Sequence, residues 1–328
     1  MPAIKRQEPP RHTSDFAPGS ILASAVSVET LREDRVKVCI YGRNRSGKTT
    51  LAAQFPKPIL IVSSEPDANG GATSVSNISG VFLQRVSDKL LGQNAKGQWL
   101  DATNPECVRK DTVKGSAKVV AIANELCGKH PFATVVLDTV TSLQDVVLVE
   151  LMGLSKVPEM MSWGMVPDGM YQQRAEKLRE VIRPLLNLQN CNVVMLAQES
   201  DHNAQEDRGG KKKLMGTMQQ GSFMAPALGA TNAKWLQDAC GYVIQIYEDE
   251  LTQEVTIPQV SFNGEQLPPS VQTVGTGKRQ RHLRLLYHPN FAAGGRWVFD
   301  RGAPEYVTAP TPRELYAEMA RYIPSLKV

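Results

Sequence analysis

At 328 residues the chain suits one large domain or two small ones, and its 41% hydrophobic residues suffice to bury a substantial core. A net charge of +4 permits an anionic partner without demanding one, while five scattered cysteines with no C-x-x-C pair suggest neither a disulfide framework nor a zinc site and read as buried thiols. No apolar run approaches a membrane span and the polar start lacks a signal-peptide core, so an intracellular protein with no membrane partner is expected.

In chain order, residues 1–34 read as a flexible Pro- and Arg-rich arm followed by the short amphipathic stretch "ILASAVSVETL". "RVKVCIY", Arg35 to Tyr41, is a β-branched run that reads as a buried strand, and "TTLAAQF", Thr49 to Phe55, reads as a helix. Between them lies "GRNRSGKTT", which fits G-x-x-x-x-G-K-[ST] with Gly42, Gly47, Lys48 and Thr49 in the defined places. A strand, this loop and a helix together make a phosphate cradle. Glycine lets successive N–H groups point at phosphate oxygens, Lys48 reaches the β and γ phosphates, and the Thr49 hydroxyl is suited to Mg²⁺. The residues expected to surround the nucleotide are Gly42, Arg43, Asn44, Arg45, Ser46, Gly47, Lys48, Thr49 and Thr50.

Further along, "KPILIVSSE" is an apolar strand, "PDANGGATSVSNISG" a loop, "AKVVAIANELCGK" a helix and "FATVVLDTVTSL" another strand. "MYQQRAEKLREVIRPLLNLQ" has helical spacing with a kink expected at Pro184, and "CNVVMLAQ" is a fourth core strand. This alternation predicts an α/β fold: a mostly parallel sheet flanked by helices. The tail changes texture. "GYVIQIYED", "EVTIPQVSFNG", "RHLRLLYH" and "GRWVFD", with a turn signal at Asn263-Gly264, read as antiparallel strands that extend the sheet. The expected division is an arm (1–34), an ATPase core (35–250), and a β extension with a C-terminal helix (251–328).

Three strand ends carry polar residues, which is where open α/β sheets bind ligands. Asp138 ends "TVVLD" and is suited to Mg²⁺, the alternative being a helix cap. Glu65 ends "LIVSSE" and is suited to take a proton from an attacking water, the alternative being a surface carboxylate. Gln198 ends "VVMLAQ", where an amide would sense the γ phosphate, the alternative being a plain terminal amide.

These motifs in this order resemble the RecA-like recombination ATPases, and among them the compact phage-type single-strand-annealing ATPases. The likeness rests on "SGKTTLA", "LIVSSEP", "VVLDTVTSL", "VVMLAQ" and "APALGATNAKWLQDACGYVIQI", covering roughly residues 35 to 250. Ser63 departs from it where the family usually has an acidic residue, and Ala230 departs where it usually has glycine. The resemblance implies ATP with Mg²⁺, a RecA-like core, and Glu65, Lys48 and Gln198 as catalytic residues. It also implies partners: single-stranded DNA, a single-strand-binding protein, and further copies of the chain in a filament or ring.

For DNA the resemblance points to two loops, "GLSKVPEMMSWGMVPDGM" and "DHNAQEDRGGKKKLMGTMQQGSFMAPALGA". Arg208, Lys211, Lys212 and Lys213 would neutralise phosphates, and Phe223 and Trp163 would offer apolar contact to bases. Two other classes stay open. One is a small-molecule kinase with "EDRGGKKK" in its lid; the other is a nucleotide-gated assembly protein that scarcely hydrolyses ATP. Stimulation of ATP hydrolysis by single-stranded DNA separates them from the recombination reading.

Overall fold

The computed structural model describes residues 35–65, 71–87, 89–153, 168–201, 224–228, 230–260, 266–286, 288, 291–295 and 302–326. The expected arm and amphipathic stretch of residues 1–34 lie outside the described residues, as does the Asn263-Gly264 turn signal.

β1 (Lys37–Gly42) is apolar on both faces, as an interior parallel strand must be. It leads through the glycine-rich loop into the short helix α1 (Lys48–Ala52). Next come β2 (Ile59–Ser63), β3 (Val81–Arg85) and a small antiparallel sheet of β4 (Leu91–Gln93), β5 (Trp99–Asp101) and β6 (Arg109–Lys110). α2 (Gly115–Leu126), β7 (Thr134–Asp138), α3 (Val140–Leu151) and α4 (Asp168–Leu186) then alternate with β8 (Asn192–Asp201). β9 (Met224–Pro226) and α5 (Ala230–Ala239) precede two long strands, β10 (Tyr242–Val260) and β11 (Gln266–Arg284). β12 (Gly294–Gly295), β13 (Tyr306–Ala309) and α6 (Pro312–Ala320) complete the described elements.

Among the described residues the main sheet runs in the order β13-β11-β10-β1-β8-β7-β2-β3, with β12 paired to β10 and β9 to β8. From β10 to β3 every neighbour is parallel. β11, β12, β13 and β9 add antiparallel pairs. This is the expected α/β architecture: a mostly parallel sheet flanked by helices and extended by C-terminal antiparallel strands.

Side chains alternate along each strand, so both faces of the sheet need covering. On one face Cys39, Tyr41, Val135, Leu137, Val193 and Met195 pack against Val119, Leu143, Val147, Leu178, Ile182 and Leu236 from α2, α3, α4 and α5. On the other, Ile40, Val194, Leu196, Ile244 and Ile246 meet Leu51 of α1 and Leu315 and Met319 of α6. Each fully buried large aliphatic side chain contributes roughly 1.5–3 kcal/mol. α6 begins with a capping box, in which Thr311 accepts from the Glu314 amide and the Glu314 carboxylate accepts from the Thr311 amide, with Pro312 at the first helical position.

Several expectations need correcting. "GYVIQIYED" pairs antiparallel with β11 and β12 as expected, but on its other side β10 runs parallel to β1, from Val38↔Tyr242 to Tyr41↔Gln245. Val243, Ile244, Gln245 and Ile246 are all buried, so both faces of the strand are covered, as in an interior parallel strand. The loop expected over "PDANGGATSVSNISG" contains a 3-10 turn at Gly71–Val75. Pro184, where a kink is expected, lies in the last turn of α4 and has no amide hydrogen to give the Glu180 carbonyl. Of the thiols, Cys39, Cys191 and Cys240 are buried, Cys107 is half-buried and Cys127 is exposed; all five are free. The small β4–β6 sheet was not expected from the sequence. The Lys118–Asp111 ion pair and the Lys118 ammonium 5.3 Å from the Trp99 ring centroid tie it to α2.

Candidate functional site

The glycine-rich loop turns at the carboxyl end of β1, in the middle of the sheet. Gly42 is required there because a Cβ would stand 2.2 Å from the Ile246 carbonyl oxygen on the adjacent strand. Gly47 adopts φ 93°, a left-handed conformation that favours glycine, and Arg45 has φ 65°. Arg43, Asn44 and Arg45 are exposed, whereas Ser46, Lys48 and Thr49 are buried.

Lys48 folds back over the loop, its Nζ donating to the carbonyl oxygens of Gly42 at 2.9 Å and Arg43 at 2.7 Å. Burial lowers its pKa, and the charges of Asp138, Glu199 and Glu65 partly oppose that. The Ser46 hydroxyl is buried with no hydrogen-bond partner. An ammonium bonded to carbonyls of its own loop, beside a hydroxyl without a partner among the described residues, fits a site that gains polar partners from a phosphate ligand.

Beneath the loop, Thr49 Oγ1 donates to Asp138 Oδ2 at 2.8 Å. Asp138 is 1% exposed at the end of β7. Burial first, and the charge of Glu65 second, push its carboxyl up to about 6, against the opposing Thr49 hydrogen bond and the Lys48 charge. Glu65 therefore shares the electrostatic environment of Asp138, as its place just beyond β2 requires. The helix-cap alternative for Asp138 falls away, because the cap of α3 is Thr139, which accepts from the Ser142 amide. Among the described residues no group of three or more His, Cys, Asp or Glu converges on a cation site; Thr49 and Asp138, bonded to each other, are the residues that could hold a metal together with a phosphate ligand.

Gln198 sits in register with Gly42, directly beside the loop. It does not end its strand as expected: β8 continues to Asp201 and is held there by β9. The Gln198 backbone N–H donates to Thr141 Oγ1 at 3.0 Å and its backbone carbonyl accepts from the Ala227 N–H at 2.6 Å. One residue later Glu199, which sequence reasoning missed, accepts from Arg43 Nε at 2.9 Å and from Gln245 Nε2 at 3.1 Å. Its position next to Gln198 on the strand was the available signal. Arg43 and Glu199 line a cavity of about 1010 Å³ along with Tyr247, Arg279, Arg284 and Phe291.

The DNA candidates Trp163, Arg208, Lys211, Lys212, Lys213 and Phe223 lie outside the described residues. The ends of both expected loops are more regular than foreseen: Asp168–Met170 is the first turn of α4, and Asp201 and Met224–Pro226 are paired strand. No helix among the described residues is long and apolar enough to cross a membrane.

Asp138 also gives a pH prediction. Its folded pKa of about 6 lies above the ordinary 3.8, so its contribution to stability is fully present below 3.8 and lost as pH rises through about 6. Asp138→Asn removes the charge. The ligand-free variant is expected to melt above the parent once pH exceeds the folded value, by up to about 3 kcal/mol, with the gap closing as pH falls towards the ordinary value. Thermal melts across that range measure this, and a pH-independent gap would contradict the assignment.

A family model described as an AAA domain matches residues 34–297. No curated protein matches the sequence. Among solved structures, the crystal structure of the RadB recombinase is similar at 15% sequence identity and a TM-score of 0.33, over 85% of this chain and 88% of that one.

Proposed function

This chain belongs to the AAA domain family, and from that premise we propose that it binds and hydrolyses ATP with Mg²⁺, and couples the nucleotide to single-stranded DNA to promote annealing or strand pairing in recombination or repair. The observation that carries the nucleotide half is the Thr49 hydroxyl bonded to a buried Asp138 directly beneath the phosphate loop. Lys48 would exchange its bonds to the loop carbonyls for β and γ phosphate oxygens. Thr49 and Asp138 would hold the metal. Mg²⁺ when bound neutralises charge on the phosphates. Glu65 takes the proton from the attacking water, and Gln198 hydrogen-bonds the terminal phosphate.

Support for the DNA half comes from the resemblance and from the placement of β8. That strand carries Gln198 beside Gly42 and runs on to Asp201, and the chain returns to it at Met224. Residues 202–223 therefore depart and return a few residues from Gln198, so a change there has a short covalent route to Arg208, Lys211, Lys212, Lys213 and Phe223. Further copies of the chain in a filament or ring, a single-strand-binding protein and an intracellular setting belong to the same proposal.

Two measurements test it. Single-stranded DNA is expected to raise the ATPase rate; phosphoryl transfer to a small acceptor without such stimulation would favour a kinase. Replacing Lys211, Lys212 and Lys213 with Ala should weaken binding of a fluorescent oligonucleotide across sequences and lower the log-log salt slope by about 0.7 per lost contact. Phe223→Ala should instead cost about 1–3 kcal/mol at nearly constant slope, because stacking is largely independent of salt. Unaltered affinity and slope in both variants would leave this segment without a DNA role.

A further inference from the structure

Gly47 faces a guanidinium that no sequence motif announces. A Cβ at Gly47 would lie 3.4 Å from Nε and 3.8 Å from Cζ of Arg281, so this side chain rests on the phosphate loop one residue before Lys48. Arg281 stands opposite Glu248 in the β10–β11 register, and its Nε donates to Glu248 Oε1 at 2.6 Å. Arg279 Nη1 lies 3.8 Å from the other oxygen of the same carboxylate. Two guanidiniums share one carboxylate, which leaves the trio with net positive charge beside the loop. The Arg281 side chain is 35% exposed, so an incoming anion can reach it.

The strand order says which part of a phosphate chain would meet it. Asp138 and Glu65 come from β7 and β2, beyond β8 on one side of β1; Arg281 comes from β11, beyond β10 on the other. Metal binding and proton removal belong on the carboxylate side, and with them the terminal phosphate. A polyphosphate lying across the loop therefore presents its inner phosphates towards Arg281. We infer that Arg281 is a phosphate-binding residue supplied by the chain's own β11, contacting the inner phosphates of a nucleoside di- or triphosphate, with Glu248 as the positioning residue that holds it over Gly47. This rests on the nucleotide reading above. A guanidinium suits the task because its fork of donors matches phosphate oxygens. Inner phosphates are common to ATP and ADP, so Arg281 holds both alike, unlike a contact made only to the γ phosphate.

The test titrates a fluorescent ADP and a non-hydrolysable ATP analogue into the full chain and its Arg281→Ala, Arg281→Lys and Lys48→Ala variants. Arg281→Ala should weaken both ligands about tenfold or more, and Arg281→Lys should recover part of the loss through its point charge. Circular dichroism establishes that each variant is folded. If Arg281→Ala is not, Arg281→Gln replaces it with the same expectation, since it keeps a donor for Glu248 without the charge. Unchanged ADP affinity in a folded Arg281 variant, or a loss confined to the triphosphate, overturns the assignment while Lys48→Ala still abolishes binding. Undiminished binding by Lys48→Ala would instead defeat the nucleotide reading itself.

Discussion

Lys48→Ala is expected to reduce ATP turnover to below about one hundredth of the parent rate, in line with the loss of a single preorganised donor to reacting oxygens. The geometry explains why no neighbour substitutes. Lys48 is the buried cation at the centre of the loop, already bonded to two of its carbonyls, whereas Arg43 and Arg45 point outwards and Arg43 is engaged with Glu199. The fold should persist, since Leu51 and Ala52, which anchor α1, lie beyond the substituted residue. Phosphate release measured on a variant with an unchanged circular dichroism spectrum gives the answer. Parental ATPase activity in that variant would remove the nucleotide reading.

Glu65→Gln is the second large effect. Glutamine keeps the shape but cannot accept a proton, so ATP should still bind while hydrolysis falls by roughly a hundredfold or more. The same change removes a negative charge that raises the Asp138 carboxyl, so Asp138 should be more readily ionised and metal-dependent binding should not weaken. A binding titration beside a single-turnover rate separates the two quantities. Equal loss of binding and turnover would mark Glu65 as structural.

Much of the site was legible in the sequence because its chemistry is local. Nine consecutive residues, Gly42 to Thr50, carry the phosphate loop, and the conformations of Gly42 and Gly47 follow from close approach and left-handed φ, for which glycine is suited. Asp138 and Glu65 were legible because each closely follows a run of buried β-branched residues, and strand ends in an open α/β sheet converge on one edge. Gln198 was singled out by the same logic, though pairing with β9, which comes much later in the chain, prolongs its strand.

Periodicity and turn chemistry act over a few residues, so the core strands and helices, though not the β4–β6 sheet or the true end of β8, could be read from the chain alone. Which strands are neighbours is a property of the whole fold. The fold set β8 between β1 and β7, made β10 parallel to β1, and folded β11 back along it. Glu199 meets Arg43, and Arg281 rests on Gly47, because of that order alone. A strand carries no mark of its partner: pairing is selected by burial of both sheet faces at once, a property of the packed chain rather than of any segment in it.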